Sequence, residues 1–318
     1  VYKSSIIYYQ SSIINHQSSI INHQSSITNY QLPIPMSWLT YTLLTLLASA
    51  PFYLLLRLRD ADEETRPASV ARAFRQLMWV PGVVALGLRF YSGAGFGDLD
   101  FGPGRNPWLL LVALLFPPIM EILLIFTVRR LNLGFLDGSV FGVKDGWVYL
   151  SRGVRLVLGT NRQTPFKFAL NLTATVAIGA ALNLIFSFAE ELGWRGTLQP
   201  LLIERFTLTW GMFLGGLLWG AWHAPAVLNG YKFPAHPRLG AFVFMPIFCI
   251  AAGIVAGWLY WLSGSLWTPA IFNASLRVSG LISEAALEEG GSARVRIVWL
   301  WLWAAAGGLA LTLWYAAL

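Results

Sequence analysis

Charge is scarce in this chain, and thiol chemistry is nearly absent. Only 12% of the 318 residues are Asp, Glu, Lys or Arg, about half the ~25% of an average soluble domain. So few charges over this length exclude an ordinary water-soluble enzyme. The single cysteine, Cys249, lies inside an apolar run, which excludes disulfides within the chain and cysteine-based metal clusters. Histidine is also rare: there are four, and only His223 and His236 follow residue 36. No polar stretch is long enough to form a separate soluble domain.

What is abundant is apolar sequence, at 56% of residues. Eight apolar segments stand out, at about 36–57, 77–92, 107–128, 167–189, 208–229, 239–262, 265–283 and 296–318. Spanning a bilayer takes about 20 mostly apolar residues. The expected fold is therefore all-α, a polytopic transmembrane bundle of about eight helices. The net charge of +7 does not point to nucleic acid, because the basic residues cluster between apolar runs. Arg57, Arg59, Arg66, Arg72 and Arg75 fill one connection. Arg129, Arg130, Lys144, Arg152, Arg155, Arg162 and Lys167 fill another. The positive-inside rule places both in the cytoplasm and both termini outside.

Residues 1–35 read differently. The unit SSIINHQ recurs there every seven residues. Its adjacent Ile pair gives no heptad seam, and the period is too short for a folded repeat. The string TCATCAA repeated in tandem encodes this unit in one reading frame. The expectation is that residues 1–35 are translated repeat or a disordered tail outside the fold, and that 36–318 form one domain with a motif core at 165–285. His16 and His23 then drop out as ligand candidates.

The stretch SFAEELGWRG ends a long apolar run. Each charge in hydrocarbon costs about 2.5–3.5 kcal/mol on insertion scales, so these need partners. Glu191 and Arg195 are spaced i, i+4 and meet as an ion pair on one helix face. Glu190 is left over. Asn183, Ser187 and Glu190 form a polar stripe suited to a bundle interior or a wet cavity. The next apolar run carries Trp219 and, one turn on, His223. The small-residue pairs Gly211/Gly215 and Gly216/Gly220 allow close helix approach there. A turn near Phe206 and Thr207 puts Glu190 and His223 each about 16 residues away. At about 1.5 Å per residue they lie at equal depth, ~24 Å from that turn. A buried carboxylate beside an imidazole suits general-base chemistry. Spacing alone leaves open whether His223 is such a partner or a lone histidine near the membrane surface.

Other features read more plainly. Glu121, following Pro117 and Pro118, is expected to reach the membrane interface near a kink. His236 reads as a surface residue. Trp299, Trp301 and Trp303 read as interface anchors, and Glu284, Glu288 and Glu289 as a solvated loop or short helix.

EELGWRG fits the EExxxR motif, and Trp219 to His223 the (F/W)xxxH motif, of the CPBP intramembrane proteases. That family, named for CAAX proteases and bacteriocin-processing enzymes, includes the eukaryotic Ras-converting endopeptidase. The chain resembles it over about 165–285. The family's third motif runs close to GSLWPAILLHAxxN, and here the segment is GSLWTPAIFNASLR, residues 264–277. Asn273 thus stands where the family has His, and Arg277 where it has Asn. The resemblance implies that Glu190 and His223 activate water, that Glu191 and Arg195 complete the first motif, and that Asn273 and Arg277 contact the oxyanion. It implies a glutamate-dependent or metal-dependent endopeptidase. No cofactor is favoured; zinc would fall to Glu190 and His223.

The expected partners are the bilayer and a peptide or protein substrate, such as a prenylated peptide or a bacteriocin-type leader, in a prokaryotic cytoplasmic membrane. Two other classes stay open. One is a catalytically inactive relative that binds a membrane partner or confers immunity. The other is a transporter, against which stands the lack of an inverted repeat.

Met36 is expected to be the true start of the chain. N-terminal peptide sequencing of protein expressed from the native upstream DNA checks this, and recovery of peptides containing SSIINHQ would refute it.

Overall fold

The structure, a computed structural model, describes residues 37–58, 66–134, 141–150, 156–157, 159, 161–287 and 292–317. The expectations for residues 1–35, Met36, Glu288 and Glu289 lie outside this set. Among the described residues, ten helices of eight or more residues follow in order: α1 (Trp38–Leu58), α2 (Arg66–Leu77), α3 (Trp79–Ser92), α4 (Trp108–Arg130), α5 (Pro165–Gly193), α6 (Gln199–Phe206), α7 (Leu208–Leu228), α8 (Met245–Ser263), α9 (Trp267–Ala286) and α10 (Ala293–Ala317). The eight apolar segments of the sequence are α1, α3, α4, α5, α7, α8, α9 and α10. Five stretches are long and apolar enough to cross a membrane by length and composition: Trp38–Leu55, Trp108–Arg130, Pro165–Phe206, Pro237–Ser263 and Ala293–Ala317. The molecule is an all-α bundle of a multi-pass membrane protein.

Apolar side chains on many of these helices point outward. Leu47, Leu182, Phe126 and Trp301 are each about two-thirds to three-quarters exposed. A helix apolar on all sides belongs in a core or in lipid. Inside, α9 packs against α4 and α5, while α8 packs against α7 and α10.

The connections sort onto two ends. At one end the 93–107 loop is sewn to the α8–α9 connection: Arg105 N donates to Ser263 O at 2.7 Å, and Leu266 N to Asp100 O at 3.1 Å. At the other end Phe74 of α2 stacks on Tyr231 after α7, and Phe233 meets Trp299 of α10. This alternation is the one expected for eight antiparallel segments. It puts Arg75, Lys232, Arg238 and Arg296 at a common end.

Two features did not come from the apolar pattern. The polar connection 131–164 contains a small antiparallel sheet in the order β1 (Phe141–Lys144), β2 (Trp147–Leu150), β3 (Arg162–Gln163). Its turn signal was in the sequence: Asp145 and Gly146 both have positive φ, 52° and 74°, as a two-residue hairpin loop requires. In the other basic connection, α2 is amphipathic, with Val70, Phe74 and Leu77 buried along one face.

The tryptophan expectation is corrected. Trp301 is exposed, but Trp299 and Trp303 are 6% and 0% exposed. Spaced i, i+4, they share the face of α10 that meets α8. There Trp299 stacks on Phe248 at 4.3 Å between centroids, and Trp303 meets it edge-on at 5.3 Å.

Both small-residue pairs lie at close helix crossings. A Cβ on Gly211 would sit 2.6 Å from Ile203 N, on Gly216 it would run into the Ile250 backbone, and on Gly220 it would sit 2.6 Å from Pro246 Cα. Gly215 has more room, with Leu202 Cδ1 at 3.6 Å. So α7 lies hard against α6 on one side and α8 on the other.

Gly216→Ala should therefore destabilise the bundle by about 1–3 kcal/mol, the usual cost of overpacking. Gly308→Ala, where nothing lies within 4 Å, should be neutral. Thermal unfolding in detergent compares them; equal midpoints would refute the close crossing.

Candidate active site

The apolar run ending at 189 does not end its helix. From Gly193 the chain passes through a π-helical turn, Trp194–Leu198, straight into α6. Turns of this kind often occur at functional sites. The corner comes only at Thr207, near the expected position, with φ 125° and ψ 167°, a conformation strained for a β-branched residue. Glu190 and Glu191 thus sit within a continuous helix, both 0% exposed.

Glu191 is paired within its own helix. Arg195 Nη1 lies 2.9 Å from its carboxylate, as the i, i+4 spacing implies. Asn273 of α9 donates from Nδ2 to Glu191 Oε1 at 2.7 Å. The Arg195 guanidinium also lies 4.3 Å over the Trp219 ring.

Glu190 is not left over. Arg277 Nη2 donates to its Oε2 at 2.5 Å, across a sequence separation of 87. Trp219 Nε1 donates to its Oε1 at 2.7 Å. The local pattern could not reveal these donors because both come from other helices. Arg277 Nη1 also reaches the Tyr231 hydroxyl at 3.2 Å.

His223 joins the group through Trp219 and not by a direct hydrogen bond to Glu190. Its Nδ1 lies 2.8 Å from the Trp219 carbonyl. A carbonyl only accepts, so Nδ1 carries the proton and Nε2 the lone pair. Trp219 therefore touches both residues, one with its indole N–H and the other with its backbone. His223 is 2% exposed, buried among protein side chains. All six residues singled out from the sequence fall into this cluster: Glu190, Glu191, Arg195, His223, Asn273 and Arg277.

The polar stripe faces the bundle interior, one of the two settings expected. Ser187 is fully buried, and its Oγ has no partner. Asn183 turns its amide back to the Gly179 carbonyl. The stripe faces protein because α9 lies along α5 at this level.

Glu121 is corrected as well. It is 2% exposed and does not reach the interface. Trp299 Nε1 donates to its Oε1 at 2.9 Å, and Ser283 Oγ donates to its Oε2. It links α4, α9 and α10. His236 is partly exposed, in the α7–α8 connection.

The sequence reading gave no role to Trp219 beyond its motif and did not find Tyr231 or Phe74. Phe74 was detectable: Val70, Phe74 and Leu77 repeat at helical spacing inside a basic connection.

The donor set does not fit zinc. Among the described residues no three His, Cys, Asp or Glu side chains converge. The Arg277 cation also pairs with Glu190, one of the two ligands expected for zinc.

Breaking a buried ion pair costs about 3–5 kcal/mol when one charge is left behind. Glu191→Gln should therefore lower stability strongly, and Glu191→Gln with Arg195→Met should recover most of the loss. Detergent unfolding of the two variants measures this; no recovery would refute the pairing.

The comparisons cover the same helices. No curated protein matches the chain. Residues 172–278 match a family described as type II CAAX prenyl endopeptidase Rce1-like. That span holds Glu190, Glu191, Arg195, Trp219, His223, Asn273 and Arg277. Through this segment, about a third of the chain, the match supports assignment to the CPBP family of CAAX-type proteases.

Proposed function

We propose that this protein is an intramembrane endopeptidase that hydrolyses a peptide bond of a membrane-associated substrate. Glu190 takes a proton from water, and the resulting hydroxide attacks the carbonyl carbon. Trp219 and Arg277 hold the carboxylate in place. A carboxylate has about four acceptor sites, so these two donors leave room for the water. The developing oxyanion accepts hydrogen bonds from the Asn273 amide and the Arg277 guanidinium, both able to stabilise it. His223, with its lone pair on Nε2, relays the proton to the departing amine. Prenylated peptides and bacteriocin-type leaders are the proposed substrates, and the Arg75 end of the bundle is proposed to face the cytoplasm of a prokaryotic cell.

The observation that carries this reading is the convergence on Glu190: Trp219 of α7 and Arg277 of α9 both donate to it, and Trp219 also holds His223. The Arg277–Glu190 ion pair also favours a second reading. A base held by a cation is less ready to take a proton, as in a non-catalytic relative that binds a membrane partner or confers immunity.

Glu190→Gln should lower the cleavage rate of a peptide library in detergent by roughly 10²–10⁴-fold, the usual range for losing a general base. Because the change also leaves Arg277 without its carboxylate, it should lower stability too, and the rate is compared per mole of folded protein. His223→Ala should do much the same, and the double variant little more. Full activity in Glu190→Ala would sink the mechanism. Asn273→His with Arg277→Asn separates the two readings: an active enzyme changes modestly, whereas a silent relative shows no cleavage until the exchange is made.

A further inference from the structure

Four of the reacting groups are buried, and Arg277 is only partly exposed. Glu190 and Glu191 are 0% exposed, and His223 and Asn273 are 2%. No substrate reaches them unless something moves. Among the elements that touch His223, α2 differs in kind. It has 12 residues, about 18 Å of helix, too short to span a bilayer. Among its described residues, the ring in contact with the site is Phe74, itself 0% exposed.

That ring lies in a slot built for a planar group. Tyr231 stacks on it with centroids 4.6 Å apart and planes 24° apart. His223 lies 4.9 Å away at 32°, and Trp222 lies 5.1 Å away at 58°. The Arg277 guanidinium sits 5.6 Å from the ring centroid, within cation–π range. The slot walls are held from behind: Trp222 Nε1 donates to Ser49 Oγ at 2.8 Å, and the Tyr231 hydroxyl accepts from Arg277. Arg277 Nε is buried with no partner, an unused donor beside the ring. Two of the groups around Phe74, His223 and Arg277, are the ones assigned to the reaction above. A side chain placed here would sit next to the scissile bond.

We propose that this slot is the subsite for an aromatic side chain of the substrate, that Phe74 occupies it in the free protein, and that α2 withdraws to admit the substrate. The inference rests on the endopeptidase reading and adds a substrate preference to it. An aromatic ring replaces every contact Phe74 makes, including the one with the guanidinium. An aliphatic side chain fills the space without the stacking or cation–π contacts. The proposed hinge is Met78, the single turn residue between α2 and α3, and the withdrawal uncovers the face that bears Val70, Phe74 and Leu77.

The test reads access to His223 and needs no turnover, so it stands apart from the Glu190→Gln experiment. Full-length protein in detergent is treated with diethyl pyrocarbonate, which acylates a neutral imidazole at its lone-pair nitrogen, and each histidine is followed by mass spectrometry. In the unsubstituted protein His223 should react far more slowly than His236. Phe74→Ala should raise the His223 rate by about tenfold or more, as expected for removing a gate, and leave His236 unchanged. N-acetyl-phenylalanine amide should restore protection in that variant, and N-acetyl-leucine amide at the same concentration should not. If Phe74→Ala fails to fold, Phe74→Val, which keeps some apolar contact but leaves much of the ring's space open, is read in the same way. An unchanged His223 rate in a folded variant overturns the plug. Equal protection by the two amides, or by neither, overturns the aromatic subsite.

Discussion

Two neighbouring carboxylates, buried in a hydrocarbon-facing bundle, set the terms for the rest of the molecule. Two like charges about 4 Å apart repel by about 4 kcal/mol even at an effective dielectric of 20, and each also loses its hydration. Each is matched by a cation. Glu191 finds one a helical turn away, in Arg195. Glu190 points a different way around the helix and must be matched by another element. Arg277 supplies that match from α9. The second pairing fixes the register of α9 against α5, and the same register brings the Asn273 amide onto Glu191. One electrostatic requirement therefore assembles three of the family's motif positions.

Close packing provides the rest. Trp219 and His223 reach the carboxylates because α7 lies hard against its neighbours, which Gly211, Gly216 and Gly220 permit by carrying no Cβ. Trp219 then does three things at once. Its indole N–H orients Glu190, its ring face receives the Arg195 cation, and its carbonyl fixes the His223 tautomer. A phenylalanine at the same motif position could offer a face and a carbonyl but no N–H. The Glu121 cluster follows the same rule for buried polar groups. Its carboxylate is satisfied by donors from two other helices, one of them on α9, so the helix bearing Asn273 and Arg277 is anchored at a second level.

Much of this was legible in the sequence, for identifiable reasons. The eight apolar segments were readable because a bilayer demands long uninterrupted apolar runs. The Glu191–Arg195 pair was readable because i, i+4 is a fixed distance on any helix. The glycine pairs and the corner near Thr207 were readable because small residues and helix breaks are local signals. The site residues were legible chiefly by resemblance: motif spacing named six side chains, and all six meet in the fold.

What the sequence could not give was the partner of any group whose neighbour is distant in the chain. Glu190 looked unpaired because Arg277 lies 87 residues on. Glu121 looked like an interface carboxylate because Ser283 and Trp299 are equally remote. Trp299 and Trp303 looked like anchors because composition does not say which face of a helix meets another helix, and Phe74 was lost in a basic connection because its slot is made by α7, α9 and the loop after α7. By itself the sequence determined which residues are helical, which are apolar and which ion pairs close within one helix, all of them properties of short range. Only the tertiary structure decided which charges neutralise one another across helices, and so which carboxylate at the site is bound by a cation. That choice depends on the relative rotation and register of whole helices, which no local spacing encodes.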